Sequence, residues 1–212
     1  AVGKPRKGSH VEYTDIETKA VRGIISKVRI LADQEVTHEK LTQDVAEQAR
    51  QRGQGGSAKE ALSVQNADVI HVACKCVCHV DLGYATSMEN ADETKVYTHD
   101  VAAWPMQKCR IVTLASHKFA RGEGTEGENS GTQYGGLPTG FLIAGTKCVI
   151  CSFWIVEHEC RVIFWTKFYD NLTNQGLDVA ETLKVTQIWL RELTELEYVQ
   201  AFPKEMQGSE WE

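Results

Sequence analysis

The sequence predicts an α/β fold, and three patterns carry that prediction. Short apolar runs at Val69–Cys74, Cys109–Ser116 and Thr146–Trp154 have the length and composition of buried strands. Apolar residues four apart at Ile16, Ala20, Ile24 and Val28 mark an amphipathic helix, and so does the series Val162, Phe164, Trp165, Phe168, Tyr169 and Leu172. The third pattern is Gly135-Gly136-Leu137-Pro138-Thr139-Gly140-Phe141-Leu142-Ile143-Ala144-Gly145. It reads as a tight glycine turn, a proline suited to a first helical turn, and a short apolar helix closed by Gly145.

Composition narrows the class. With 212 residues, 42% hydrophobic and 25% charged, the chain suits one large domain with tails. The expected boundaries are an N-terminal tail at 1–13, the domain at 14–200, and a C-terminal tail or divergent closing segment at 201–212. The opening Ala-Val-Gly-Lys-Pro-Arg-Lys reads as the cut end of a longer chain or an exposed tail. No apolar run approaches the roughly 18–20 residues of a membrane span, and no signal segment is visible. A net charge of −6 argues against general nucleic-acid binding, which needs a basic surface. The seven cysteines are odd in number and sit mostly in apolar runs, as expected of buried thiols in a reducing cytoplasm.

In chain order, the helix over Ile16–Val28 is followed by a short strand at Arg29-Ile30-Leu31. Thr37 is an N-cap candidate, with Glu39 in the first turn of a helix running to about Gln48. Residues 50–59 are a Gly- and Gln-rich solvated loop, read as a local insertion. Val69–Cys74 is a central parallel strand. Asp81–Asp100 is a polar passage with an acidic loop at Glu89–Glu93. Val101–Trp104 ends a short helix at Pro105, and Cys109–Ser116 is the next strand. Ala120–Tyr134 is a long Gly-, Glu- and Asn-rich loop, a length usually functional or disordered. Two helices are expected across Glu157–Leu196, the second over Leu177–Leu196.

The stretch from Gly135 to Leu190 resembles the second half of a CHAT domain, the caspase- and separase-like cysteine peptidase domain of clan CD. That family carries a GLPxAFLxAG-type helix, a strand ending in Ser-x-Trp, a helix containing Phe-Tyr, and a final helix ending in Trp-Leu-Arg. Here these read Gly136–Gly145, Ser152-Phe153-Trp154, Phe168-Tyr169 and Trp189-Leu190-Arg191. The resemblance implies a caspase-like three-layer α/β/α sandwich with a mainly parallel central sheet.

It also implies where a catalytic dyad would stand. The family strand His-x-Ala-Cys-His-Gly, whose second His is the general base and whose Gly is an oxyanion donor, reads His71-Val72-Ala73-Cys74-Lys75-Cys76 here. His71 and Cys74 match, while Lys75 replaces the base and Cys76 the glycine. In the next strand the nucleophilic Cys position holds His117. Cys109 lies about eight residues, or some 26 Å, from that end and cannot substitute. A peptidase needs a thiolate, a nearby imidazole and backbone donors. Lysine, with an ordinary pKa near 10.4, is a cation at neutral pH rather than a base.

The resemblance therefore implies a pseudo-peptidase, a catalytically inactive module that binds a protein partner or the remainder of a longer chain. Neither cofactor nor membrane is expected, and nucleic acid is disfavoured. One alternative is an active peptidase with a displaced dyad, in which His79 is the base. Another is a zinc module at His71, Cys74, Cys76, Cys78 and His79, since thiolate and imidazole suit Zn²⁺. Against zinc, alternate side chains on a flat strand stand about 6.6–7 Å apart, too far to chelate without a turn. Cys148-x-x-Cys151 reads as core, and Glu157, His158 and Glu159 depart from the family's Trp-x-Val-Asp-Asp. His71 itself reads as a hydrogen-bonded structural residue.

Overall fold

A computed structural model describes residues 2–3, 10–25, 31–32, 41, 67–74, 76–77, 85–89, 94–115, 136–152 and 156–201. The chain divides into two compact units, one built from 1–6 and 31–155, the other from 7–30 and 156–212.

The first unit carries a parallel sheet of five strands: β1 (Val2–Gly3), β2 (Leu31–Ala32), β3 (Val69–Ala73), β7 (Ile111–Leu114) and β8 (Cys148–Cys151). Their order is β2-β1-β3-β7-β8, with β3 at the centre as its unbroken apolar run requires. Residues expected in an N-terminal tail thus supply a strand, Val2–Gly3, lying between β2 and β3. The β3–β7 register runs from Val69–Ile111 to Val72–Leu114.

Strand alternation sorts the side chains. Ile70, Val72, Cys74, Val112 and Leu114 join one apolar cluster with Val101, Trp104, Met106, Leu137, Phe141 and Ala144. The latter residues belong to or follow two short helices, α2 (Thr98–Ala102) and α3 (Leu137–Ile143). Trp104 meets Phe141 edge-on, centroids 6.2 Å apart.

The glycine-rich element folds as its residues predict. Gly136 is the N-cap and Pro138 occupies the first turn. The helix closes in a Schellman motif: Gly145 N–H donates to Leu142 O at 3.1 Å and Thr146 N–H to Phe141 O at 3.1 Å. Gly145 has φ +105°, a region costly for any residue with a Cβ. Gly140 serves a different need, because a Cβ there would stand 2.8 Å from the Thr98 carbonyl oxygen of α2.

The polar passage at 81–100 departs from expectation. Its strands β5 (Ser87–Glu89) and β6 (Lys95–Tyr97) form a small antiparallel sheet with β4 (Cys76–Val77), which precedes it. The strands are two or three residues long, too short for a period-2 pattern to be read in the sequence. Burial of Cys76, Met88 and Val96 in the main cluster holds them.

The second unit is helical: α1 (His10–Ile24), α4 (His158–Asn174), α5 (Val179–Glu192) and α6 (Glu195–Ala201). α1 begins six residues before the expected Ile16; Glu17, Thr18 and Val21 are buried, and the Ile16–Ala20–Ile24 series is half-buried beside them. Glu17 is held by an ion pair: Arg161 Nε on α4 donates to Glu17 Oε2 at 2.8 Å, both side chains buried. Around it Val162 and Ile163 gather Tyr13, Ile16, Trp189, Leu190, Leu193, Tyr198 and Ala201.

α4 and α5 are joined by a buried polar seam. Asn171 Nδ2 donates to Thr186 Oγ1 at 3.1 Å, and that hydroxyl donates to Thr182 O at 2.7 Å. The single helix expected over Leu177–Leu196 is two. Thr194 N–H donates to Glu197 Oε2 at 2.9 Å, and Glu197 N–H donates to Thr194 Oγ1 at 3.3 Å, a capping box that starts α6 afresh. The helix at 37–48 and the loops at 50–59 and 120–134 lie outside the described residues, apart from the buried Leu41.

Two stability tests follow. Gly145→Ala should cost about 1–2 kcal/mol, whereas Gly23→Ala, on α1 with nothing near its Cβ site, should gain about 0.5 kcal/mol. Opposite signs in urea melts are expected. Glu17→Gln should cost about 3–5 kcal/mol by stranding the buried guanidinium, and Glu17→Leu/Arg161→Met together should recover most of it.

Candidate functional site at the carboxyl rim of the sheet

In open α/β sheets ligands gather outside the carboxyl ends of the strands. Here that rim is formed by the ends of β3, β7 and β8, where Ala115 N–H still donates to Val72 O at 2.8 Å, one step beyond β7. Lys75 and His117, the expected dyad positions, and Cys78 and His79 lie outside the described residues. His71, Cys74 and Cys76 are described.

His71 is 3% exposed, and its Nδ1 lies 2.7 Å from Thr113 Oγ1, its register partner on β7. The Thr113 hydroxyl also reaches Ile70 O at 3.4 Å. A hydroxyl that donates there can accept from Nδ1–H. This pair ties the two central strands beneath the rim, a structural role for the imidazole.

Alternation separates His71 from the neighbouring thiols. His71 and Thr113 lie on one face of the sheet, while Cys74 lies on the other with the α2–α3 cluster. Cys76, on β4, is in that same cluster, its thiol 3.9 Å from Cys74 O. So His71 and Cys74 are not brought together, and among the described residues no three His, Cys, Asp or Glu side chains gather as metal ligands. The same rule divides Cys148 from Cys151, three residues apart on β8 and hence on opposite faces.

Cys109, Cys148 and Cys151 are poor nucleophiles. Cys109 precedes β7 at its amino end, fully buried, with its thiol 3.4 Å from Ile111 O. Burial pushes the Cys109, Cys148 and Cys151 thiols above the ordinary value, so they stay protonated near neutrality.

At the opposite end of the sheet an ion pair closes the strands. Arg110 Nε donates to Asp68 Oδ1 at 2.6 Å and a terminal nitrogen to Oδ2 at 2.5 Å. The Arg110 hydrogen bond holds the Asp68 carboxyl below the usual range. Sequence reading gives no sign of this pair, whose members stand 42 residues apart.

In the helical unit, the Glu157-His158-Glu159 triplet starts α4. Glu157 is its N-cap, and His158 stacks on Tyr13 with centroids 5.2 Å apart. Burial raises the Glu159 carboxyl, but the Tyr13 hydrogen bond and its own backbone amide, with His158 and Arg161 nearby, bring it below its ordinary value.

The thiols supply a direct test. Residue-resolved alkylation at neutral pH should leave Cys109, Cys148 and Cys151 unmodified while the chain is folded. Their rates should keep rising beyond the ordinary thiol range of about 8.5, which unfolding in urea should restore. Alkylation of any of the three faster than free cysteine would contradict the assignment.

Comparison with known proteins adds the family. No curated protein and no solved structure matches the chain. The family model for the CHAT domain matches residues 1–207. With a parallel α/β sheet of caspase type and a match across nearly its whole length, the chain belongs to the CHAT domain family.

Proposed function

We propose that this CHAT domain is a pseudo-peptidase, a catalytically inactive module that uses the rim of its sheet to hold a protein partner. The observation that carries the reading is the pair of residues at the dyad positions, Lys75 and His117, where the family pattern has an imidazole and a thiol. The described register offset between β3 and β7 is 42 residues, and positions 75 and 117 are separated by the same interval. The equal interval supports reading them as the family's paired positions in the sequence.

The chemistry disfavours turnover. An ammonium cannot take a proton from a nucleophile at neutral pH, and an imidazole beside it would be harder to protonate. None of the Cys109, Cys148 and Cys151 thiols has a lowered pKa to offer in its place. Cys76, at the position of the oxyanion glycine, is buried against Cys74 O. The six cysteines among the described residues are all free, which supports a reducing compartment such as the cytoplasm. Among the described residues no helix is long and apolar enough to cross a membrane.

A peptidyl probe with a thiol-reactive warhead should give no activity-dependent adduct, and capture from native lysate should retain a protein partner that a Lys75→Glu/His117→Glu variant loses. A single fast-labelling cysteine whose substitution abolishes peptide cleavage would establish the displaced-dyad peptidase instead. About one zinc per reduced chain, lost on Cys76→Ser, would establish the metal module.

A further inference from the structure

The last described helix has apolar residues on both sides. Tyr198 and Ala201 of α6 face inward and pack on the Val162–Ile163 cluster. Leu196 and Val199 face the other way, 68% and 51% exposed. They are three apart, so they form one contiguous ridge. At 100° per residue Glu195 and Gln200 flank that ridge, with Glu197 beside Gln200.

Each flanking carboxylate is open to solvent. Glu195 and Glu197 are exposed, and so is Glu192 at the end of α5, whose partner Arg191 is itself 73% exposed at the side chain. Glu197 is held ionised by the Thr194 side chain and backbone donors that form the capping box. The surface therefore offers an aliphatic ridge bordered by Glu195 on one side and by Gln200 on the other, with Glu197 beyond Gln200. An isolated exposed leucine needs no explanation, but a second apolar face on a helix already anchored by its first does.

We propose that the outer face of α6 is a docking surface for a basic amphipathic helix of a protein partner. Leu196 and Val199 would enter its apolar stripe, and Glu195 and Glu197 would pair with lysines or arginines bordering that stripe. The carboxylates disfavour a second copy of the same face, which would set like charges against each other. They equally disfavour an anionic lipid surface. The proposal stands on α6 alone and holds whether or not the sheet rim is catalytic.

The test uses the whole chain and a fluorescent Leu/Lys amphipathic helical peptide, with its Leu/Glu counterpart as the second probe. The Leu/Lys peptide should bind, and binding should weaken with added salt. Leu196→Asp/Val199→Asp should weaken it by about tenfold or more, and Glu195→Lys should weaken it severalfold. Ile143→Asp, a change at an exposed apolar residue of α3, should leave it unchanged. All these positions are exposed, and unchanged thermal melts would confirm folding. Equal binding by Leu196→Asp/Val199→Asp, or equal affinity for the Leu/Glu peptide, would overturn the proposal. Self-association abolished by Leu196→Asp, or adsorption to phosphatidylserine vesicles, would overturn it as well.

Discussion

The parallel register between β3 and β7 is the constraint on which the first unit depends. It is set at two levels by side chains as well as by the ladder. Asp68 and Arg110 clamp the amino ends, and His71 and Thr113 join the middle inside a dry sheet. A slip of one residue would break both pairs and turn every strand residue to the wrong face. Register is what aligns the carboxyl ends, so any function at the rim inherits its geometry from these two contacts. The outer clamp is solvent-exposed and modest in energy, while the inner one is buried and far less tolerant of change.

The helical unit has a comparable pivot in the Glu17–Arg161 pair. A carboxylate at the centre of a helix interface loses its hydration, and only a well-placed guanidinium offsets that loss. Replacing both groups with apolar residues need not weaken such an interface, so the pair is better understood as selecting one docking of α1 on α4. The Asn171–Thr186–Thr182 seam imposes the same selectivity on α5, because its buried donors are satisfied in this docking.

Much of this was legible in the residues, and the failures have physical reasons. Val69–Cys74 and Cys109–Ser116 announced the two central strands because buried parallel strands need no polar alternation. Gly136, Pro138 and Gly145 announced α3 because each has a backbone role that few other residues fill. The periodicity around Ile16 pointed to the right helix, but a hydrophobic pattern cannot anticipate a buried Glu17 whose partner is 144 residues away. The break before α6 was present as Thr194-x-x-Glu197, a capping signature masked by the apolar series running through it. The small sheet of β4–β6 left almost no local mark, because tertiary burial rather than strand pattern creates it. At the rim, the expected dyad positions Lys75 and His117 rest on the sequence and lie outside the described residues. The separation of His71 from Cys74 emerged only with the pleat.

The placement of Cys148 and Cys151 on opposite faces of β8 bears on how the molecule would age under oxidative stress. Two sulfurs that never face each other cannot shelter as a cystine, so each would climb the oxyacid series alone. At Cys151, which packs beside the α2–α3 cluster, an added oxygen would wedge a polar group into hydrocarbon. Damage would begin there as loosened packing of α3 against the strand, without any covalent bond linking one part of the chain to another.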